Sequence, residues 1–234
     1  MRLLIKKMVY AALVFGLVLC IAHYLSEDFH YHKNKWKIIS FGAGVMLSYL
    51  ILDLFPRLYL GVSFLNNFIF LLVLLGFALL HLIEKYIYQH TAKNKKLKEL
   101  RLTHSAIFFV YYAIIGIILK NITDASLVDG FLLFLPLVFH TTLGAASLNE
   151  IHHTIIKNKL VRLLLSSSPL IGVLIASFFS ISPIVNHLLI AFISGVLLFI
   201  VIREVIPKES QGDPLDFLLG MIVYSILIVI TWIW

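Results

Sequence analysis

ISFGAGVMLSYLILDLFPR, residues 39–57, laid over IAFISGVLLFIVIREVIPK, residues 190–208, is the comparison that decides the fold. At this offset of 151, Ile39/Ile190, Phe41/Phe192, Gly44/Gly195, Val45/Val196, Asp53/Glu204, Pro56/Pro207 and Arg57/Lys208 agree in chemistry. Apolar helices share Leu and Ile by chance. A glycine, an acid, a proline and a base at one constant spacing point to true repetition. A weaker echo pairs LLGFALL, residues 74–80, with LLGMIVY, residues 218–224.

Both segments are apolar runs long enough to cross a hydrocarbon core, which takes roughly 20 helical residues. Of the 234 residues 61% are apolar and 13% charged, and the mean hydropathy is +0.99, which excludes a soluble globule with a polar shell. Helices are expected near residues 8–25, 37–56, 64–88, 103–121, 127–148, 160–181, 184–206 and 214–234. The expectation is one all-α transmembrane bundle of eight helices over residues 1–234, with the lipid bilayer as its main partner and no separate catalytic domain. The opening MRLLIKK and its apolar run resemble a secretory signal, but no small-residue cleavage site follows. Leu19 stands where a lipoprotein signal wants a small residue before Cys20, so the run is read as helix one.

The net charge of +7 is read through the positive-inside rule rather than as nucleic-acid binding. With eight helices, Arg2, Lys6, Lys7, Arg57 and Lys120 fall on one side and the other 14 of the 19 lysines and arginines on the other. Both termini are therefore expected outside, in a cell membrane, with the basic linker QHTAKNKKLKELRL, residues 89–102, in the cytoplasm. The cluster at Arg2, Lys6 and Lys7 argues locally the other way. On this topology helix two and helix seven run in opposite directions, so the repeat is inverted. Helices one to three mirror six to eight around an unpaired central pair, a 3+2+3 plan characteristic of secondary transporters.

In these residues the chain resembles the ZIP (Zrt/Irt-like) family of divalent metal transporters. The resemblance rests on FGAGVMLSYLILDLFPR in helix two, AFISGVLLFIVIREVIPKE in helix seven, GFALLHLIEK in helix three and LLSSSPLIGVLIASF in helix six. It implies eight helices, both termini outside and transport by alternating access, with a divalent metal of the Zn/Mn/Fe class as candidate substrate and a homodimer as candidate assembly. No enzymatic activity is expected.

The departure lies where the family holds its metal. The resemblance implies a His-Asn-x-Pro-Glu-Gly type segment in helices four and five, and Zn²⁺ favours such imidazole and carboxylate donors. Anchored on Gly116, helix four carries Tyr111, Tyr112, Ile114 and Ile115 where His, Asn, Pro and Glu belong. Anchored on Gly144, helix five carries Phe139, His140 and Leu143, so only His140 could coordinate. The candidate transport path is Tyr111, Tyr112, Gly116, His140, Thr141 and Gly144, with Asp53 and Glu204 as candidate gate acids.

Each assignment has a bland counterpart. His140 is either a pathway ligand or a buried imidazole among small packing residues. Tyr111 and Tyr112 either line a path or plug it. Asp53 and Glu204 either attract cations or pair with Arg57 and Lys208. Glu150, His152 and His153, with His30 and His32, are either a surface metal cluster or solvated side chains. Solvation by nearby lysines is likewise the simpler reading of Glu84, three residues after His81. The single Cys20 excludes an internal disulfide. An intramembrane metallohydrolase would need three ligands and an open water position, which the absence of HExxH and the isolation of His140 argue against. Two readings remain, a ZIP-like transporter of a divalent metal or of a changed substrate and a transport-inactive structural or regulatory relative.

Overall fold

The computed structural model describes residues 2–26, 35–91, 93–147, 159–207 and 211–233, and among these there is no strand. In chain order the elements are α1 (Arg2–Leu25), α2 (Lys35–Tyr49), a π-helical turn (Leu50–Leu54), α3 (Phe55–Leu65), α4 (Phe68–His90), α5 (Lys93–Ala125) and α6 (Leu127–Ser147). There follow α7 (Lys159–Ser166), α8 (Ser168–Phe178), α9 (Pro183–Ile200), a second π-helical turn (Val201–Val205) and α10 (Pro214–Ile233). Among the described residues, six stretches are long and apolar enough to cross a membrane: Met8–Leu25, Lys35–Leu65, Phe68–His90, Ser105–Ala125, Pro183–Arg203 and Pro214–Ile233. Two further apolar helices among the described residues are shorter, Leu127–Thr142 and Ser168–Phe178.

The two π turns lie at the offset of the sequence match, since 50–54 plus 151 is 201–205. Each precedes a proline, which has no N–H to donate and crowds the preceding turn, and a widened turn accommodates that defect. The outcomes differ. After the first turn Pro56 sits in the opening turn of α3 and the helix runs on to Leu65, so the expected end near residue 56 is too early. After the second, Ile206 is extended at ψ 120° and the helix stops. The α3–α4 turn passes through Asn66 at φ 49° and ψ −157°, a conformation that L residues seldom adopt.

Proline carbonyl defects elsewhere are repaired by side chains, as a lipid surrounding requires. Pro169 removes the donor for Leu165 and divides the expected helix of residues 160–181 into α7 and α8. The Ser168 hydroxyl donates to the Leu165 carbonyl at 2.7 Å, which closes the gap. Pro136, inside α6, likewise frees the Leu132 carbonyl, and the Tyr224 hydroxyl of α10 donates to it.

Glycines set the packing. Helices in lipid lack a hydrophobic drive toward one another and associate through close backbone approach at small residues. A Cβ on Gly44 of α2 would fall on the Phe217 carbonyl and 2.8 Å from the Met221 nitrogen of α10. One on Gly195 of α9 would fall on the Val73 carbonyl and 2.9 Å from the Phe77 nitrogen of α4. The reciprocal contacts are Gly220 against Phe41 and Gly76 against Phe192. Under the two sequence offsets, each member of the α2–α10 seam maps onto its counterpart in the α9–α4 seam. A third seam brings Gly116 of α5 onto Gly172 of α8.

These seams sort the helices into two groups. One holds α2, α3, α4, α9 and α10; the other holds α1, α5, α6, α7 and α8. The groups meet mainly along α2 with α6 and α9 with α5, and the apolar core between them is closed by side chains such as Leu50, Leu119, Leu132 and Ile200.

Candidate functional site

The positions where the ZIP resemblance leads one to look for ligands come together. Tyr111 and Tyr112 project from α5 and His140 from α6, and all three are buried, with His140 only 1% exposed. The His140 ring lies 5.5 Å from Tyr111, edge-on at 90°, and 5.6 Å from Tyr112. The two tyrosine rings are 5.2 Å apart, and Phe108, one turn earlier, packs against both. Ring faces and edges fill the space that donor atoms would occupy around an ion. Neither ring nitrogen of His140 has a hydrogen-bond partner among the described residues. Leaving such a group unmade costs about 1–3 kcal/mol, so the site is sealed at some expense to stability.

His23 joins this cluster. Its ring sits 5.0 Å from Tyr112. Beside it, Arg162 packs over the Tyr24 ring at 4.2 Å and donates to the Tyr24 carbonyl. The sequence reading did not single out His23. The one available signal was that it is the lone imidazole in the first apolar run, and ionisable groups inside spans are functional candidates by default.

The remaining candidates separate. Thr141 is buried, and its hydroxyl donates back to the Val138 carbonyl at 3.0 Å. Gly116 serves the seam with α8. Gly144 belongs to α6, and its surroundings lie outside the described side chains. The same holds for the side chain of Glu204 in the second π turn. Glu150, His152 and His153, and also His30 and His32, lie outside the described residues. His81 is exposed, while Glu84 meets Arg203 of the second π turn at 3.6 Å, a partner that local spacing did not suggest. Among the described residues no group of three or more His, Cys, Asp or Glu side chains could hold a metal ion.

Asp53 does find Arg57. The pair is bidentate, Nε to Oδ2 at 2.7 Å and Nη2 to Oδ1 at 2.8 Å, the strong fork geometry of guanidinium on carboxylate. The same Nη2 also reaches Asp129 Oδ1 at 3.3 Å, which carries the network from the end of α2 to the start of α6. Close by in the chain, Lys120 pairs with Asp124, and the Asn121 side-chain amide donates to Asn186 Oδ1 at 3.0 Å.

No protein-family model matches the chain, and no curated protein matches it.

Proposed function

We propose that this chain is an integral membrane transporter of ZIP-like architecture, built as an eight-helix 3+2+3 inverted repeat, whose midplane no longer takes a bare divalent metal. The observation that carries the architectural half is the equivalence of the two glycine seams and the two π turns under the sequence offsets. Two related units that pack by the same contacts can exchange roles, which is the physical basis of alternating access. On this reading α6 and the α7–α8 pair are the two remaining spans. The face bearing the Asn66–Asn67, Ser126 and 179–182 turns is extracellular, as the 5 to 14 division of basic residues implies.

The chemical half rests on the Tyr111–Tyr112–His140 cluster. A dehydrated dication in lipid needs compensating carboxylate charge, and Ile115 stands where the family's glutamate would. Cargo, on this reading, differs from Zn²⁺, Mn²⁺ and Fe²⁺. The same tight ring packing favours a second reading, in which the path is permanently plugged and the protein has a structural or regulatory role.

Thiol accessibility separates the two. Ile115→Cys, in a Cys20→Ser background in sealed membranes, would be probed with an impermeant thiol reagent from each face in turn. Alternating access predicts labelling from both faces. Labelling from neither face would support the plugged reading and sink the transporter.

A further inference from the structure

Among the described residues, the polar contacts between the two helix groups are unevenly placed. Three of them gather toward the face of the short turns: Arg57 with Asp129, Asn121 with Asn186, and Tyr224 with the Leu132 carbonyl. Toward the opposite face, the described polar contacts hold helices within one group. Glu84–Arg203 joins α4 to the π turn after α9, Arg162–Tyr24 joins α7 to α1, and Ser40 accepts from the Asp213 amide within the α2–α10 pair. What crosses between groups there is the aromatic contact of Phe41 with Phe139, rings 5.7 Å apart.

We propose that Arg57 and Asp129, seconded by Asn121 and Asn186, form a releasable latch that closes the short-turn face between the two groups. This rests on the alternating-access reading of the bundle. The design fits a contact that must break and re-form. Arg57 is held from its own helix by Asp53, four residues earlier, so on separation the guanidinium leaves with its counter-charge and no isolated cation is stranded in lipid. Asp129, with 36% of its side chain exposed, passes to water and to the positive end of its own helix, where it lies in the first turn. An ion pair whose partners are each stabilised after separation opens at far less cost than a buried pair whose partners are not. The Asn121–Asn186 bond is neutral and likewise parts without stranding charge.

Leu133 reports on the opening. It lies one turn after Asp129 on the same face of α6 and is buried in the core between the groups. In a Cys20→Ser background, the labelling rate of Leu133→Cys by an impermeant thiol reagent is measured in the parent and in Asp129→Asn, Asp129→Asn with Asn121→Ala, and Arg57→Gln. Asp129→Asn keeps the Asp53–Arg57 pair intact and is the variant least prone to misfold. A latch predicts a rise of roughly tenfold in the combined variant, less in the single ones, as a shifted two-state equilibrium requires. Glu84→Gln, which touches a pair within one group, should leave the rate unchanged. No rise in any latch variant, or an equal rise in Glu84→Gln, would overturn the proposal. A rise without any two-faced labelling at Ile115→Cys would uphold the latch while removing the transporter reading, so the two failures are distinct.

Discussion

Gly195→Val is expected to yield no stably folded protein, and Gly195→Ala a protein destabilised by more than about 2 kcal/mol. Filling a packed core with extra methylenes usually costs about 1–3 kcal/mol, because side chains can rotate away. Here nothing can rotate. The added Cβ falls on the Val73 carbonyl, with the Val73 carbonyl carbon at 2.8 Å and the Phe77 nitrogen at 2.9 Å, all of them backbone of a hydrogen-bonded helix. The seam must open along its length, and in lipid that closeness is the main source of attraction between helices. Gly44 stands in the equivalent position against Phe217 and Met221, so Gly44→Val should fail to the same degree. Gly61 provides the contrast. A Cβ there first meets the flexible Cδ1 of Ile69, and Gly61→Ala should fold with a smaller loss. Monodisperse yield in detergent and thermal unfolding of the four variants check the order.

Arg57→Ala should cost about 3–5 kcal/mol, the range for removing one partner of a buried ion pair. Asp53 is 8% exposed and would keep a carboxylate with no bidentate partner. Asp53→Asn should cost less, because Arg57 retains Asp129. Asp129→Asn should cost least, since Asp53 still neutralises Arg57 and Asp129 is the most exposed of the three groups. The predicted order of melting temperatures is therefore Arg57→Ala lowest, Asp53→Asn intermediate and Asp129→Asn nearest the parent. An Asp53→Asn protein as unstable as Arg57→Ala would mean that Asp129 contributes nothing to holding the guanidinium.

Much of this was legible where the physics is local. The offset of 151 pairs the two π turns and Gly44 with Gly195, and the weaker echo pairs Gly76 with Gly220; the repeat was legible in the sequence, but the widened turns and the glycine seams were not themselves expected. Asp53 and Arg57 are four apart, so their pairing was readable from helix geometry alone. Pro56 was misread as a helix end, since nothing local distinguishes a proline that stops a helix from one absorbed by a widened turn. Asp129 as a second partner of Arg57, Arg203 as the partner of Glu84, and His23 beside Tyr112 depend on which helices touch. No local pattern encodes that. Tyr111 and Tyr112 were expected either to line a path or to plug it, and what the structure adds is that both rings pack against His140. The released carbonyl of Leu132 shows how the two scales connect: a local proline defect creates the acceptor, and a distant helix supplies Tyr224 to use it.

We propose a ZIP-like bundle that has kept its architecture and lost its divalent-metal chemistry. Flux of Zn²⁺, Mn²⁺ and Fe²⁺ into proteoliposomes containing the full chain, beside His140→Ala and empty vesicles, tests it most directly. The account predicts uptake no greater than in empty vesicles for all three ions, and no change in the variant. Saturable uptake of any of them that His140→Ala abolishes would contradict it.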